Sequence, residues 1–197
     1  HKGDITPYLP RVPTEKNGKR VALLGAGPAS LAVARDLLPF GYEVHLFEKD
    51  PFGGGMMRTQ IPAFRLPADV LEEEVDLILG MGVECHFGHE VTSMKDMLDQ
   101  GFDAYFVGTG APRGRDLDLP GRQEVDDHIS IGIDWLSSVA FGHTTKIEGK
   151  VIVMGGGNTA MDCCRTSLRL GADNVKVMAR KPRNFFKASE WELEDAE

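Results

Sequence analysis

A chain of 197 residues with 42% hydrophobic and 26% charged residues has the make-up of an ordinary folded protein with enough apolar side chains for a core. Its net charge of −8 argues against nucleic acid or an anionic membrane surface as a general partner, and no run of 18 apolar residues offers a membrane-inserted helix. Three cysteines (Cys85, Cys163 and Cys164) form no C-x-x-C pair and no metal-ligand spacing, which suits a reducing, cytoplasmic setting and nominates no metal ligand.

Residues 1–19 carry Pro7, Pro10 and Pro13 and then a polar stretch, which predicts an extended lead-in. The next thirty residues are the most informative. An apolar run at 21–24 is of strand length, and Gly25-Ala26-Gly27-Pro28-Ala29-Ser30 turns it. Residues 31–40 have apolar positions at helical spacing, Gly41 stops that helix, 44–47 is a second apolar strand and Glu48 stands at its end. Strand, glycine turn, helix, strand and acid make the fingerprint of a dinucleotide-binding βαβ unit. Gly25 permits the tight turn, Gly27 lets backbone N–H groups approach a pyrophosphate, and the helix start adds partial positive charge. Ser30 replaces the third glycine and is small enough for close helix–strand packing. Glu48 can accept hydrogen bonds from a ribose diol, and Lys49 comes next.

The stretch 51–67 holds three consecutive glycines, three prolines and two arginines, which predicts a loop with no regular element. Gly53, Gly54 and Gly55 would let the backbone lie against a flat or phosphorylated ligand, with Arg58 or Arg65 meeting its phosphates. Residues 68–80 predict a helix with Val70, Leu71, Val75 and Ile78 on one face and Glu72, Glu73 and Glu74 toward solvent. A strand at 83–87, a short helix at 94–100 and a strand at 102–107 come after it. The last closes on Gly108-Thr109-Gly110, small residues suited to a sheet edge that abuts a ligand. A polar connector at 113–122 leads to an amphipathic helix at 129–141, whose Trp135 reads as core rather than a cofactor stack.

The opening pattern then repeats. Residues 151–154 form a strand, Gly155-Gly156-Gly157-Asn158-Thr159-Ala160 the turn, 161–170 a helix, Gly171 its stop and 175–178 a second strand. Gly25 and Gly155 stand 130 residues apart, as do Gly41 and Gly171, and G-x-G-x-x-A is itself a form of the fingerprint. This copy ends on Ala179 instead of an acid, succeeded by Arg180 and Lys181, with Arg183 and Lys187 beyond. Losing the acid and gaining cations accommodates a 2′-phosphate, which favours NADP(H) over NAD(H). Cys163 and Cys164, adjacent on a helix, point apart and read as buried small apolar residues, so disulfide-reductase chemistry is not supported.

On these residues the chain resembles the flavoprotein electron-input module shared by the glutamate synthase small subunit and the N-terminal part of dihydropyrimidine dehydrogenase. The resemblance runs through GAGPASLAVARDLLPFGYEVHLFEKD, GGGMMRTQIPAFRLPADVLEEEVDLILGMGV, YFVGTGAPRGRDLDLPG and VIVMGGGNTAMDCCRTSLRLGA with ARKPRNFFKAS, and the middle stretch is the most specific. It implies a Rossmann-like FAD-binding domain over 20–149 and the start of an inserted, Rossmann-like NAD(P)H-binding domain over 150–197. FAD would be contacted by Gly25, Ala26, Gly27, Pro28 and Ala29, by the stretch from Glu48 to Met56, and by Arg65 and Val91. NADPH would be contacted by Gly156, Gly157, Asn158, Thr159, Arg180, Lys181 and Lys187. Hydride would pass between nicotinamide and flavin, with electrons passing to [4Fe–4S] clusters outside these residues. The family's iron–sulfur domain, the remainder of its NADPH domain and its C-terminal FAD segment are absent, so the chain is expected to be about half of a flavoprotein. A subunit that binds FAD, or nothing, and only scaffolds a redox complex is the competing expectation.

Overall fold

Two hydrophobic strands joined by a glycine turn and a helix cannot bury their apolar faces alone, and the chain solves this twice. The computed structural model describes residues 6–118 and 120–197. They form two compact units: one runs to Arg58 and resumes over Leu66–Ala111, the other takes Thr59–Arg65 and Pro112–Glu197.

The first unit is built on β1 (Arg20–Leu24), flanked by β2 (Glu43–Glu48) and β4 (Ala104–Val107), with β3 (Glu84–Phe87) beyond β2. All pairings are parallel, with Val21 opposite Val44 and Ala104, and His45 opposite Glu84. Parallel strands need crossovers, and α1 (Pro28–Leu37) and α3 (Ala68–Leu79) supply them on the face carrying Val21, Leu23, Val44 and Leu46. The opposite face carries Ala22, Leu24 and Phe47 under Met97 of α4 (Met94–Leu98) and Phe102. Leu23, Leu38 and Leu46 are wholly buried, each contributing about 1.5–3 kcal/mol of transfer free energy.

The α1 helix starts earlier than periodicity predicts, because Gly27 is its N-cap and Pro28 fits its first turn. It ends earlier too: Pro39 cannot donate a helical hydrogen bond, so Leu38–Phe40 tightens into a 3₁₀ turn that Gly41 closes at φ +81°. The lead-in is anchored at its end, where the Asn17 amide donates to the Phe40 carbonyl at 2.9 Å and its backbone N–H to that of Gly41 at 2.9 Å. Residues 1–5 of that lead-in lie outside the described residues. The glycine loop is not wholly irregular, since α2 (Met56–Thr59) makes one helical turn in it. On α3, Leu71 and Val75 are buried and Glu72, Glu73 and Glu74 are exposed as expected, but Val70 is 46% exposed, a residue of turn away from that face.

The second unit pairs β5 (Lys150–Met154) with β6 (Asn174–Met178) through α6 (Asn158–Arg169). The connector joins this unit: α5 (Gly132–Ala140) packs on α6, with Gly132 against Cys163. It begins three residues later than its pattern predicts, after a 3₁₀ segment at Gln123–His128, and its buried residue is Leu136 while Trp135 stays half-buried. A final helix, α7 (Glu190–Asp195), also packs on α6. No helix among the described residues is long and apolar enough to cross a membrane.

Candidate nucleotide-binding turns

In the first unit the glycine turn is held from several sides. Gly25 sits at φ +92°, its N–H donates to the Phe47 carbonyl at 2.8 Å, and a Cβ there would stand 2.7 Å from the Gly108 carbonyl oxygen. Only glycine meets both demands. Ser30, at the third-glycine position, is wholly buried, and a Cβ added to Gly108 would run into its hydroxyl. Gly27 faces open space.

Glu48, 7% exposed, ties the turn to the end of β2. One carboxylate oxygen accepts the Ala26 N–H at 2.6 Å and the other the Asp50 N–H at 3.0 Å. Each oxygen keeps a further lone pair. Burial, and then the Glu48 charge, push the Asp50 carboxyl above its ordinary range. The glycine loop lies on the same turn: the Gly54 N–H donates to the Ala26 carbonyl at 2.9 Å, and a Cβ on Gly55 would come within 2.8 Å of the Gly27 Cα. Arg58 folds back on this loop, its Nε donating to the Gly53 carbonyl at 2.7 Å. Lys49, Pro28, Ala29 and Met56 are partly or fully exposed, as are Thr109 and Gly110 beyond β4, and Val91 packs half-buried against the Phe47 cluster.

The second turn repeats the frame with other furniture. Gly155 donates to the Met178 carbonyl at 2.8 Å, as Gly25 does to Phe47, and Gly157 faces open space. The segment after β6 then folds over it. The Gly156 carbonyl accepts the N–H groups of Lys187 at 2.7 Å and Ala188 at 3.0 Å, and Asn158 Oδ1 accepts that of Ser189 at 2.9 Å. A Cβ on Gly156 would stand 2.9 Å from the Phe186 ring. Thr159, Ala179, Arg180, Lys181 and Lys187 are exposed. Both helices open on a glycine N-cap without a side-chain cap, leaving first-turn N–H groups for an outside acceptor such as phosphate.

Arg65, expected at a flavin phosphate, belongs to the second unit, where it is engaged with two carboxylates. Its Nη1 meets Asp162 at 2.8 Å and 3.0 Å and its Nε pairs with Glu192 at 2.6 Å. Arg165 donates to the other Glu192 oxygen at 2.7 Å and to Asp195 at 2.9 Å, and Phe64 lies beneath Arg165 and Arg169. Burial pushes the Asp162 carboxyl above its usual range against the pull of Arg65. This network explains why Asp162 and Arg165 are buried on α6. Sequence reading missed it, and its one signal is polar residues at positions one turn apart on a helix that is otherwise read as core.

A pyridine nucleotide-disulphide oxidoreductase family model matches residues 19–196. The chain belongs to that family. Among curated relatives, it is 39% identical over 186 residues to the NADP(+)-dependent formate dehydrogenase subunit beta of Moorella thermoacetica, covering 92% of this chain and 26% of that protein. It is 37% identical over 202 residues to the glutamate synthase [NADPH] small chain of Azospirillum brasilense, covering 95% of this chain and 42% of that one. The chain therefore spans less than half the length of these relatives. Among solved structures, the fold matches Mycobacterium tuberculosis FprA in complex with NADPH with a TM-score of 0.69 at 18% identity, over 90% of this chain and 46% of that one. In this member of the family the cysteines are free. Cys163 and Cys164 are buried, and burial pushes the Cys163 thiol up to about 12, which keeps it from acting as a thiolate.

Proposed function

We propose that the chain is the FAD- and NADP(H)-binding part of an oxidoreductase subunit, the first turn serving FAD and the second NADP(H). One observation carries this reading. Two uncapped, glycine-headed helices share a frame but differ beyond their second strands, where one has a buried carboxylate and the other has exposed cations. The open space at Gly27 and Gly157 fits a ligand that approaches the backbone closely. The names of the formate dehydrogenase and glutamate synthase relatives support NADP as the nicotinamide, with NAD(H) the less favoured choice.

When bound, the two cofactors supply hydride transfer between nicotinamide and flavin, and in this reading electrons are exchanged with [4Fe–4S] clusters of a partner domain or subunit. The chain's residues hold and orient. First-turn N–H groups at Ala29 and Ser30 offer donors to a pyrophosphate, and Glu48 keeps acceptor capacity for ribose hydroxyls. Gly54, Gly55 and Met56, with Val91, Thr109 and Gly110 at the C-terminal edge of the sheet, would border the flavin nucleotide. In the second unit, Asn158 and Thr159 offer the helix N–H groups, and Arg180, Lys181 and Lys187 the cations for a 2′-phosphate. No side-chain acid or base is required. The exposed Ile152, Met154 and Met178 on β5 and β6 give further polypeptide an apolar face on which to complete the second domain.

The test is the visible spectrum of the purified full-length protein, followed under anaerobic conditions as NADPH is added. Flavin absorbance that bleaches with NADPH is expected. A colourless protein, or flavin indifferent to either nicotinamide cofactor, overturns the reading and leaves the scaffold.

A further inference from the structure

Away from the first turn, the period of two along a strand brings three ligating side chains together on one face of the first sheet. His45 on β2 stands opposite Glu84 on β3, and His86 lies two residues further along β3. His45 Nδ1 is 3.3 Å from His86 Nε2 and 3.4 Å from Glu84 Oε1, and His86 Nε2 is 3.5 Å from the same oxygen. The three atoms thus form a nearly equilateral triangle. For metal–donor bonds of the length zinc makes to nitrogen and oxygen, the edge of a tetrahedron is about 3.3–3.5 Å.

We propose that His45, Glu84 and His86 form one face of a tetrahedral site for a divalent transition metal of the zinc type, with water completing the fourth position. The two rings are within 5° of parallel with centroids 5.6 Å apart. At that separation the two nitrogens meet nearly head-on in a common plane, so a cation bonded to both would lie off the line joining them and would turn both rings toward itself. A shared proton could bridge the two imidazoles, but it would leave Glu84 Oε1 nearly equidistant from both nitrogens at lengths poor for a hydrogen bond. A cation uses all three.

The surroundings suit that role. His45 is buried with Phe102 edge-on to its ring at 5.0 Å, and Phe47 stacks on His86 with centroids 4.4 Å apart. Of the charged groups near His45, Glu84 and Glu43 favour a cation and Arg20, whose guanidinium lies over Phe102, opposes one. Two imidazoles and a carboxylate are a donor set of the zinc class. Bound metal would clamp β3 to β2.

The experiment is equilibrium dialysis of chelator-treated, full-length protein against Zn²⁺ at neutral pH, with bound zinc counted in wild type, His86→Gln, Glu84→Gln and, as a control in the second unit, His143→Gln. These positions are chosen because buried His45 is the variant least certain to fold. The expected result is one zinc fewer per chain, or an affinity about 100-fold weaker, in His86→Gln, and a smaller loss in Glu84→Gln, with His143→Gln unchanged. Zinc should raise the Tm of wild type and not that of His86→Gln. Equal zinc content and equal Tm response in wild type and His86→Gln would overturn the site and leave a hydrogen-bonded histidine pair.

Discussion

The two glycine turns are the same device set in different surroundings. In both, the first glycine donates to a carbonyl at the end of the second strand, at 2.8 Å in each case, and the helix opens on an uncapped glycine. Around the first, Glu48 and the Gly53–Gly55 backbone close in, and the sheet is covered on both faces. Around the second, the closing segment comes from beyond β6 and brings cations, while β5 and β6 alternate between covered and exposed positions. The frame is a matter of backbone sterics and so recurs. The segment after the second strand is free to vary, and in our proposal that is where nucleotide choice resides.

The sharpest way to break the parallel is to add the same methyl group to both turns. Both glycines have positive φ, +92° at Gly25 and +155° at Gly155, but at Gly25 an alanine meets the Gly108 carbonyl oxygen at 2.7 Å, whereas at Gly155 the nearest atom is the Ala160 side chain at 3.3 Å. Gly25→Ala should cost about 2–4 kcal/mol of stability in denaturant unfolding and Gly155→Ala about 1 kcal/mol. Equal costs would mean that the two turns are packed alike.

Glu48→Ala is the next largest. It removes the acceptor of both the Ala26 and Asp50 N–H groups, and charged acceptors of this kind contribute about 1.5–3 kcal/mol each. The flavin-to-protein ratio after purification should fall at least about tenfold in occupancy-limited conditions, which is the size of effect one such bond implies. A normal ratio would leave Glu48 a structural strut with no part in nucleotide retention.

Legibility in the sequence depends on how local each cause is. Both turns, their flanking strands and the missing second acid are local, and the structure has them where the glycines, apolar runs and Ala179 pointed. Helix limits depart from the apolar periodicity where one residue's covalent chemistry decides, as at Pro28 and Pro39. The membership of 112–149 was not legible, because it depends on Gly132 meeting Cys163 and on the Ile147 N–H reaching the Leu170 carbonyl. Arg65 and Asp162 lie 97 residues apart, and nothing local marks them as partners. The His45, Glu84 and His86 triangle needs the register of β2 on β3, which no spacing along the chain discloses.

Arg180→Ala sharpens the comparison from the second side. If the exposed cations after β6 read a 2′-phosphate, the KM for NADPH should rise by about tenfold while that for NADH scarcely moves, since a charge-assisted contact is lost only with the phosphorylated cofactor. A parallel rise for both would assign Arg180 to the shared pyrophosphate and move discrimination to Lys181 or Lys187.

The smallest effect separates the ways the two leading strands are anchored. β1 has neighbours on both sides, and Asp103, just before β4, secures its start by accepting the Arg20 N–H and the Lys19 ammonium, each at 2.8 Å; β5 has β6 alone among the described residues. Hydrogen bonds from Lys19 and from the Arg20 backbone hold the Asp103 carboxyl below its ordinary value of 3.8. A carboxylate whose folded pKa is depressed adds stability that is present above the unfolded value and is lost as pH falls through the folded one. Asp103→Asn should therefore lower Tm slightly at neutral pH, with the gap to wild type closing as pH is taken below about 4. The exposure of the pair keeps the effect small. A gap that persisted undiminished in acid would show that Asp103 holds β1 by the geometry of its hydrogen bonds, which an asparagine cannot reproduce with two acceptors, and not by its charge.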